Sequence, residues 1–162
     1  MLWLVGLSMT VGGLATVEDL RSRTISNWLC LFGLVAGLVA QTVLQGWSGL
    51  GSSLLGAVIG FAVFLIFFLL GGMGGGDIKL MAAFGAILGQ RQIVNAAVFA
   101  AMVGGVIALI YVAYRKLRQV VQPEADGSKQ SVRKESIPYA PAISLGVLIS
   151  FLSEEELWTS VY

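Results

Sequence analysis

An uncharged run of 53 residues, from 24 to 76, constrains the fold of this chain more than any other feature. A helix that crosses the hydrocarbon core of a bilayer needs about 20 apolar residues, so the run can hold two such helices and a turn. The turn is predicted at "QGWSGLGSS" (45–53), which is rich in glycine and serine. Charged residues make up 12% of the chain, well below the roughly 25% of soluble domains. We therefore predict an integral membrane protein.

The remaining uncharged runs extend this prediction to the whole chain. We expect an all-α protein with a single transmembrane domain, 1–162, and six transmembrane helices: 2–17, 27–45, 50–70, 78–90, 92–114 and 138–153. The first helix could be mistaken for a secretory signal. Its positive charges, Arg21 and Arg23, follow the apolar run, which is the wrong flank for a signal peptide. A retained helix is therefore predicted.

Lysine and arginine placement predicts the orientation, because these residues accumulate in cytoplasmic loops. With the N-terminus outside, nine of the ten positive charges fall on the cytoplasmic side, and Arg91 is the exception. Six of the nine lie in the polar stretch 115–137. This stretch is predicted to be a flexible cytoplasmic loop that attracts anionic membrane lipid.

Several classes of function are disfavoured by composition. A net charge of +1 argues against a nucleic-acid partner. The single cysteine, Cys30, excludes an internal disulfide framework and any cysteine-based metal cluster. Because the chain has no histidine, histidine-based catalysis and histidine metal sites are excluded as well. We expect neither a metal nor a cofactor, and no particular oligomeric state is predicted.

Three of the nine acidic residues are candidates for chemistry. The other six are expected to be solvated, in the polar loop or the tail: Glu124, Asp126, Glu135, Glu154, Glu155 and Glu156. Glu18, Asp19 and Asp77 instead lie at or just inside the cytoplasmic ends of predicted helices. An ionisable group at the centre of a bilayer costs at least about 2.5 kcal/mol, so each of the three suggests a function.

The stretch "GGMGGGDIKL" (71–80) places a glycine-rich segment directly before Asp77. The predicted helix 78–90 is roughly 20 Å long at 1.5 Å per residue, against about 30 Å of hydrocarbon. Asp77 and its glycines are therefore expected at membrane depth. Non-helical backbone is tolerated there only where it is buried in protein or lines a water-filled cavity, which predicts a polar cavity open to the cytoplasm.

Asp19 and Asp77 are predicted to lie at the same face of the membrane. Two carboxylates that meet in a low-dielectric cleft share a proton, so that one can activate water while the other polarises a carbonyl. This is the chemistry of aspartyl proteases, which requires neither metal nor cofactor. The spacing of the two residues leaves a second interpretation open, in which each aspartate only marks the end of a helix.

The sequence "GGGD" (74–77) fits the GxGD signature of intramembrane aspartyl proteases through Gly74, Gly76 and Asp77. Its continuation, "GGGDIKLMAAFGAILG", resembles the type IV prepilin peptidases in particular. The segment "DLRSRTISN" is similar to that family's upstream D-x5-I-P-N motif, with Asp19 as the acid. A late "IPYAPAISLG" (137–146) resembles the family's closing helix motif.

The resemblance implies an endopeptidase at the cytoplasmic face of the bacterial inner membrane. Its substrates would be type IV prepilin-like precursors (Flp-type pilins or pseudopilins) whose short basic leader is cut just before the hydrophobic helix. Asp19 and Asp77 would be the catalytic pair. The residues expected to bind substrate or shape the site are Glu18, Asn27, Gly74, Gly75, Gly76 and Lys79.

Two departures from the family pattern stand out. Ser26 occupies the position where the family usually has proline. Full-length members also carry an N-terminal domain with two CxxC pairs, linked to methylation of the new N-terminus, and this chain has one cysteine. We therefore expect the short form of the family, without methyltransferase activity.

A second function from another class fits the same acids. In a small proton- or ion-coupled transporter subunit, Asp19 and Asp77 would bind an ion, and glycine-rich interruptions at membrane depth are also found in transporters. Such transporters show paired interruptions in two halves, whereas this sequence shows one. A presenilin-like protease would share GxGD but usually has a Tyr-Asp motif, which is absent from this sequence.

Overall fold

The computed structural model describes residues 2–71, 73–121 and 139–159. These residues form four α-helices and no strand, which confirms the predicted all-α class: α1 (Leu2–Ser22), α2 (Asn27–Leu69), α3 (Gly75–Val121) and α4 (Ala140–Thr159). Helices α2 and α3 are each interrupted by one glycine with non-helical backbone angles, Gly46 (φ 65°, ψ −144°) and Gly89 (φ 79°, ψ 174°). Only glycine adopts such positive φ values without a steric cost.

Several predicted boundaries differ from those in the structure. The break at Gly46 lies inside the predicted turn 45–53, but it is confined to one residue because the helix resumes at once. Helix α3 begins at Gly75, not at 78, and continues to Val121, past the predicted end at 114. The rest of the predicted polar loop, 122–137, lies outside the described residues.

Both halves of α2 pack against the first half of α3, residues 75–88. A Cβ added to Gly37 would lie 2.6 Å from the backbone nitrogen of Ile87, and one added to Gly60 would lie 2.5 Å from the carbonyl oxygen of Met81. Since the two glycines lie on opposite sides of the break, α2 reverses direction there. The absence of side chains at these glycines lets the helices touch through their backbones.

Side chains from α2 form hydrogen bonds with the backbone groups that the break in α3 leaves without partners in the helix. An N–H or C=O inside a membrane protein needs such a partner. Three hydrogen bonds supply it: Gln90 N–H to Ser52 Oγ (3.3 Å), Ser53 Oγ to the Ala86 carbonyl (2.6 Å) and Gln41 Nε2 to the Ile87 carbonyl (2.7 Å).

The first half of α3 is the core of the fold, with Leu80, Met81 and Phe84 fully buried. The outside of the bundle is apolar as well: Trp47, for example, is 86% exposed. Soluble proteins rarely expose large contiguous apolar surfaces. Two helical stretches are long and apolar enough to cross a membrane, Asn27–Leu69 and Gly75–Tyr114, and Ala140–Ser153 is a shorter apolar helix.

Candidate active site

Asp19 lies in the last turn of α1, and its carboxylate reaches across to the start of α4. The side chain is buried, and its Oδ2 accepts a hydrogen bond of 3.1 Å from the backbone N–H of Ala140. Helix α1 ends where the N–H of Arg23 donates to the carbonyl of Asp19 (2.8 Å). The first N–H groups of a helix lack partners within the helix, so Asp19 supplies one for α4.

Asp77 lies in the first turn of α3 and binds the backbone that starts this helix. Its Oδ2 accepts a hydrogen bond of 3.1 Å from the N–H of Gly74, while its own N–H donates to the carbonyl of Gly74 (3.2 Å). An acidic side chain that reaches back three residues in this way is one half of a capping box. The buried carboxylate is thereby fixed relative to the backbone of the GxGD segment.

The two aspartates come together at one end of the fold, close enough for their charges to interact. Each is buried, with an exposed fraction of 6% for Asp19 and 5% for Asp77. Each uses Oδ2 for its hydrogen bond to a backbone amide, and within the described part of the chain no partner takes Oδ1 of either. Two carboxylates in such surroundings can hold one proton between them and present free oxygens to water.

The glycines before Asp77 differ in their surroundings. A Cβ at Gly76 would lie 3.2 Å from the Cβ of Ile25, in the α1–α2 loop. Among the described residues, a Cβ at Gly75 would meet only the ring of Phe68, at 4.0 Å, and one at Gly74 would meet Asp77 Oδ2 at 3.5 Å. Gly76 is therefore packed against the loop that follows Asp19, while the described residues leave space beside Gly74 and Gly75. The predicted helices 50–70 and 78–90 leave residues 71–77 between them, which is wrong for Gly75, Gly76 and Asp77, because these belong to α3.

The other predicted site residues surround the two aspartates without contacting their carboxylates through hydrogen bonds. Glu18 Oε2 accepts a hydrogen bond of 2.8 Å from the backbone N–H of Ser26. Lys79 Nζ, on the exposed side of α3, donates a hydrogen bond of 2.8 Å to Asn27 Oδ1, at the start of α2. These two hydrogen bonds tie the α1–α2 loop and the start of α2 to the helices that carry Asp19 and Asp77.

Two residues near the aspartates were not singled out by the sequence. Tyr139, directly before α4, lies close enough to Asp77 for an electrostatic interaction. The only sequence signal for it was its position in "IPYAPAISLG". Cys30 is buried in α2, within range of the charges of Lys79, Glu18 and Asp77. A lone cysteine in an apolar helix does not indicate that it lies near a functional site.

An apolar cavity of about 160 Å³ opens beside Tyr139, between α2, α3 and α4. Phe64, Met73 and Gly104 are among the residues that line it, and the aspartates are not. The sequence predicted a polar cavity at Asp77, whereas this cavity is apolar and lies to one side of the two carboxylates. Among the described residues, no group of three Asp, Glu, Cys or His side chains could hold a metal ion.

A family model described as the type IV leader peptidase family matches residues 7–109, which include both aspartates. The match covers more than half of the chain. The chain belongs to the type IV leader peptidase family.

Individual relatives agree with this membership. The chain is 28% identical over 143 residues to a prepilin leader peptidase/N-methyltransferase of Bacillus subtilis, with 86% of this chain and 51% of the relative covered. It is 35% identical over 83 residues to a preflagellin peptidase of Methanococcus maripaludis, with 49% of this chain and 36% of the relative covered. A preflagellin peptidase of Methanococcus voltae is 33% identical over 79 residues, with 46% and 34% covered.

These matches cover only part of the relatives. This chain spans about half of the length of the Bacillus protein and about a third of each Methanococcus protein. No solved structure matches the chain.

Proposed function

We propose that this protein is an intramembrane aspartyl endopeptidase that removes the leader peptide from type IV prepilin-like precursors. The family membership and the names of the relatives support cleavage of a pilin-like leader. We extend the proposal to Flp-type pilins or pseudopilins as the substrate class. Methyl transfer, which the name of the Bacillus relative includes, is not part of the proposed activity.

The observation that carries the mechanism is the approach of two buried carboxylates from different helices. Asp19 and Asp77 are each held through one oxygen and lie close enough for their charges to interact. A pair that shares one proton contains a base and an acid at the same time. The ionised carboxylate would take a proton from water, and the protonated one would donate a hydrogen bond to the carbonyl oxygen of the scissile peptide.

The remaining steps require only protons that the pair already holds. Attack of the water on the carbonyl carbon forms a tetrahedral intermediate, and a carboxylic acid of the pair then protonates the leaving nitrogen. The C–N bond breaks, which releases the leader with a new carboxylate and the mature protein with a new amino terminus. The space beside Gly74 would let an extended substrate backbone approach Asp77.

The proposed site faces the cytoplasm in a bacterial inner membrane. Arg21 and Arg23 lie at the end of α1 next to Asp19, and Lys79 follows Asp77 by two residues. Because such positive charges accumulate on the cytoplasmic side, this end of the bundle would be cytoplasmic and the N-terminus outside. The substrate's basic leader would be attracted by the acidic groups Asp19 and Asp77 rather than by the basic stretch 115–137.

The test is a processing assay in membranes, with a prepilin from the same genome and its mobility shift as the readout. Asp19→Asn and Asp77→Asn should each lower the cleavage rate by at least about 1,000-fold, because neither amide can transfer the proton. Asp126→Asn, in the predicted polar loop, is the matched control and should cleave normally. Immunoblotting checks that each variant reaches the membrane.

Retention of cleavage by either aspartate variant would reject the two-aspartate mechanism. If the wild-type chain cleaves no prepilin, the transporter alternative can be examined directly in proteoliposomes. Proton- or ion-coupled uptake that depends on Asp19 and Asp77 would then replace the peptidase proposal.

A further inference from the structure

The α1–α2 loop, residues 23–26, lies between Asp19 and Asp77, the proposed catalytic pair. It begins within a turn of Asp19, and its Ile25 packs against Gly76, the residue before Asp77. The contact is tight, since a Cβ on Gly76 would lie 3.2 Å from the Ile25 Cβ. A shift of this loop would therefore be transmitted to the first turn of α3, where the Asp77 carboxylate is fixed to Gly74.

The start of this loop is bonded to α1 through Arg23 and Thr24, whose partners are the Asp19 carbonyl and Ser22. The end of the loop is tied back to α1 by a hydrogen bond to Glu18. The N–H of Ser26 donates to Glu18 Oε2 at 2.8 Å, across eight residues of sequence. The bond involves a half-buried carboxylate, and hydrogen bonds to charged groups are stronger than those between neutral groups. Lys79 anchors the following residue, Asn27, from α3. Glu18 of α1 thus holds Ser26, the last residue of the loop, and Lys79 of α3 holds Asn27, the first residue of α2.

The backbone of Ser26 already has the geometry that a proline ring would impose. Its φ is −62° and its ψ is 131°, and proline fixes φ near −65°. A proline at this position would fit the backbone angle and remove the N–H that Glu18 binds. Glu18 restrains the loop through a hydrogen bond to its backbone, whereas a proline would restrain it by fixing the φ angle of residue 26.

We propose that Glu18 is a positioning residue, whose carboxylate holds the α1–α2 loop against the turn of Asp77 through the N–H of Ser26. The proposal rests on the proposed peptidase function. It assigns Glu18 an action through the backbone: the carboxylate accepts one hydrogen bond, and neither substrate nor water needs to contact it. Its negative charge matters only in strengthening that hydrogen bond.

The experiment separates this role from a direct charge effect through four variants: Glu18→Gln, Glu18→Leu, Ser26→Pro and the double variant Glu18→Leu/Ser26→Pro. Purified protein in proteoliposomes is assayed for kcat and KM on a prepilin. Glu18→Gln keeps an acceptor and should stay within about threefold of wild type, whereas Glu18→Leu should lower kcat about tenfold with little change in KM. Ser26→Pro should restore the Leu variant to within about threefold of wild type, because the ring replaces the lost restraint.

Hydrogen exchange gives a readout that does not depend on cleavage. Peptides covering residues 20–29 should exchange faster in Glu18→Leu than in wild type and return toward the wild-type rate in the double variant. If the wild-type protein cleaves no prepilin while exchange follows this pattern, the proposed function is rejected and the restraint on the loop is upheld.

Three results would overturn the proposal. An equal loss in Glu18→Gln and Glu18→Leu would mean that the charge itself acts on the site. A double variant no more active than Glu18→Leu would show that loop restraint is not what was lost. Unchanged kcat and exchange in Glu18→Leu would remove any role for the hydrogen bond.

Discussion

At the scale of single residues, both aspartates are oriented by the backbone at the start of a helix. Asp19 binds an N–H of α4 and Asp77 an N–H at the start of α3. The partial positive charge of a helix N-terminus favours a carboxylate there. Backbone amides also fix the direction of each carboxylate more firmly than mobile side chains would. This rigidity suits a reaction in which small misplacements of reacting groups slow the rate considerably.

Gly76→Ala should slow cleavage. The new Cβ would lie 3.2 Å from the Cβ of Ile25, so either the loop or the first turn of α3 must move by a few tenths of an ångström. Since Asp77 is the next residue, we expect a loss of roughly fivefold or more in kcat. The rate is measured with the same prepilin in proteoliposomes.

Gly75→Ala is the matched control for that substitution. The two glycines are neighbours in the first turn of α3, but within the described part of the chain a Cβ at Gly75 would meet only Phe68, at 4.0 Å. Its kcat should remain within about twofold, because alanine also favours the helix. If both variants lose activity equally, flexibility of the glycine segment matters more than the contact with Ile25.

The sequence predicts the residues of the candidate site better than their surroundings. The GxGD and upstream acid motifs single out Asp77 and Asp19, and the topology suggests one face for both. The N–H of Ala140 that binds Asp19 could not be predicted. Every residue except proline has a backbone N–H, so the sequence does not indicate which of them binds a given carboxylate. The approach of Tyr139 to Asp77 likewise depends on the packing of α4, which local patterns do not determine.

At the scale of helices, the break at Gly89 is stabilised from outside α3. Ser53 Oγ donates to the Ala86 carbonyl at 2.6 Å, and Ser53 is completely buried. Lipid offers no replacement for a hydrogen bond lost at this position. The polar residues of α2 are therefore part of what stabilises the break in α3.

Ser53→Ala should lower the free energy of unfolding by about 1–3 kcal/mol, because the Ala86 carbonyl would be left buried without this partner. The measurement is an unfolding titration with SDS in mixed micelles, followed by circular dichroism. Ser48→Ala is the control: its exposed hydroxyl bonds to the carbonyl of Gln45, and removal should change the free energy by less than about 0.5 kcal/mol. Equal effects would show that the bond at the break contributes little.

The sequence predicts the presence of helices better than their first and last residues. The glycine- and serine-rich stretch 45–53 indicated a reversal, and the structure confines it to Gly46. Gly75 and Gly76 read as loop because glycine is a poor helix former. In the structure they open α3, where Asp77 binds the backbone of Gly74. A capping interaction thus outweighs local propensity, and only its geometry reveals this.

At the scale of the whole molecule, the aspartates lie at one end of the bundle and the break at Gly46 lies at the other. Exposed apolar side chains cover the bundle between them, as expected for a surface in contact with lipid. The proposed orientation places the α1–α2 loop in the cytoplasm and the reversal of α2 outside.

Cysteine labelling should report this orientation. Cys30 is buried, so Cys30→Ser provides a background in which exposed positions are labelled singly. Ser48→Cys, two residues past Gly46, should react with a membrane-impermeant maleimide in intact spheroplasts. Thr24→Cys, in the α1–α2 loop, should react only after the membrane is opened. The reverse pattern would invert the proposed topology.

The hydrogen bond from Ala140 to Asp19 joins residues 121 positions apart in the chain. Asp19 is synthesised and inserted early, but the amide that orients it arrives only with α4, the last described helix. During translation, Asp19 and Asp77 could both be in the membrane while the orientation of Asp19 is still incomplete. The fold therefore delays assembly of the proposed protease until α4 has been made, which would protect neighbouring membrane proteins from a partly made enzyme.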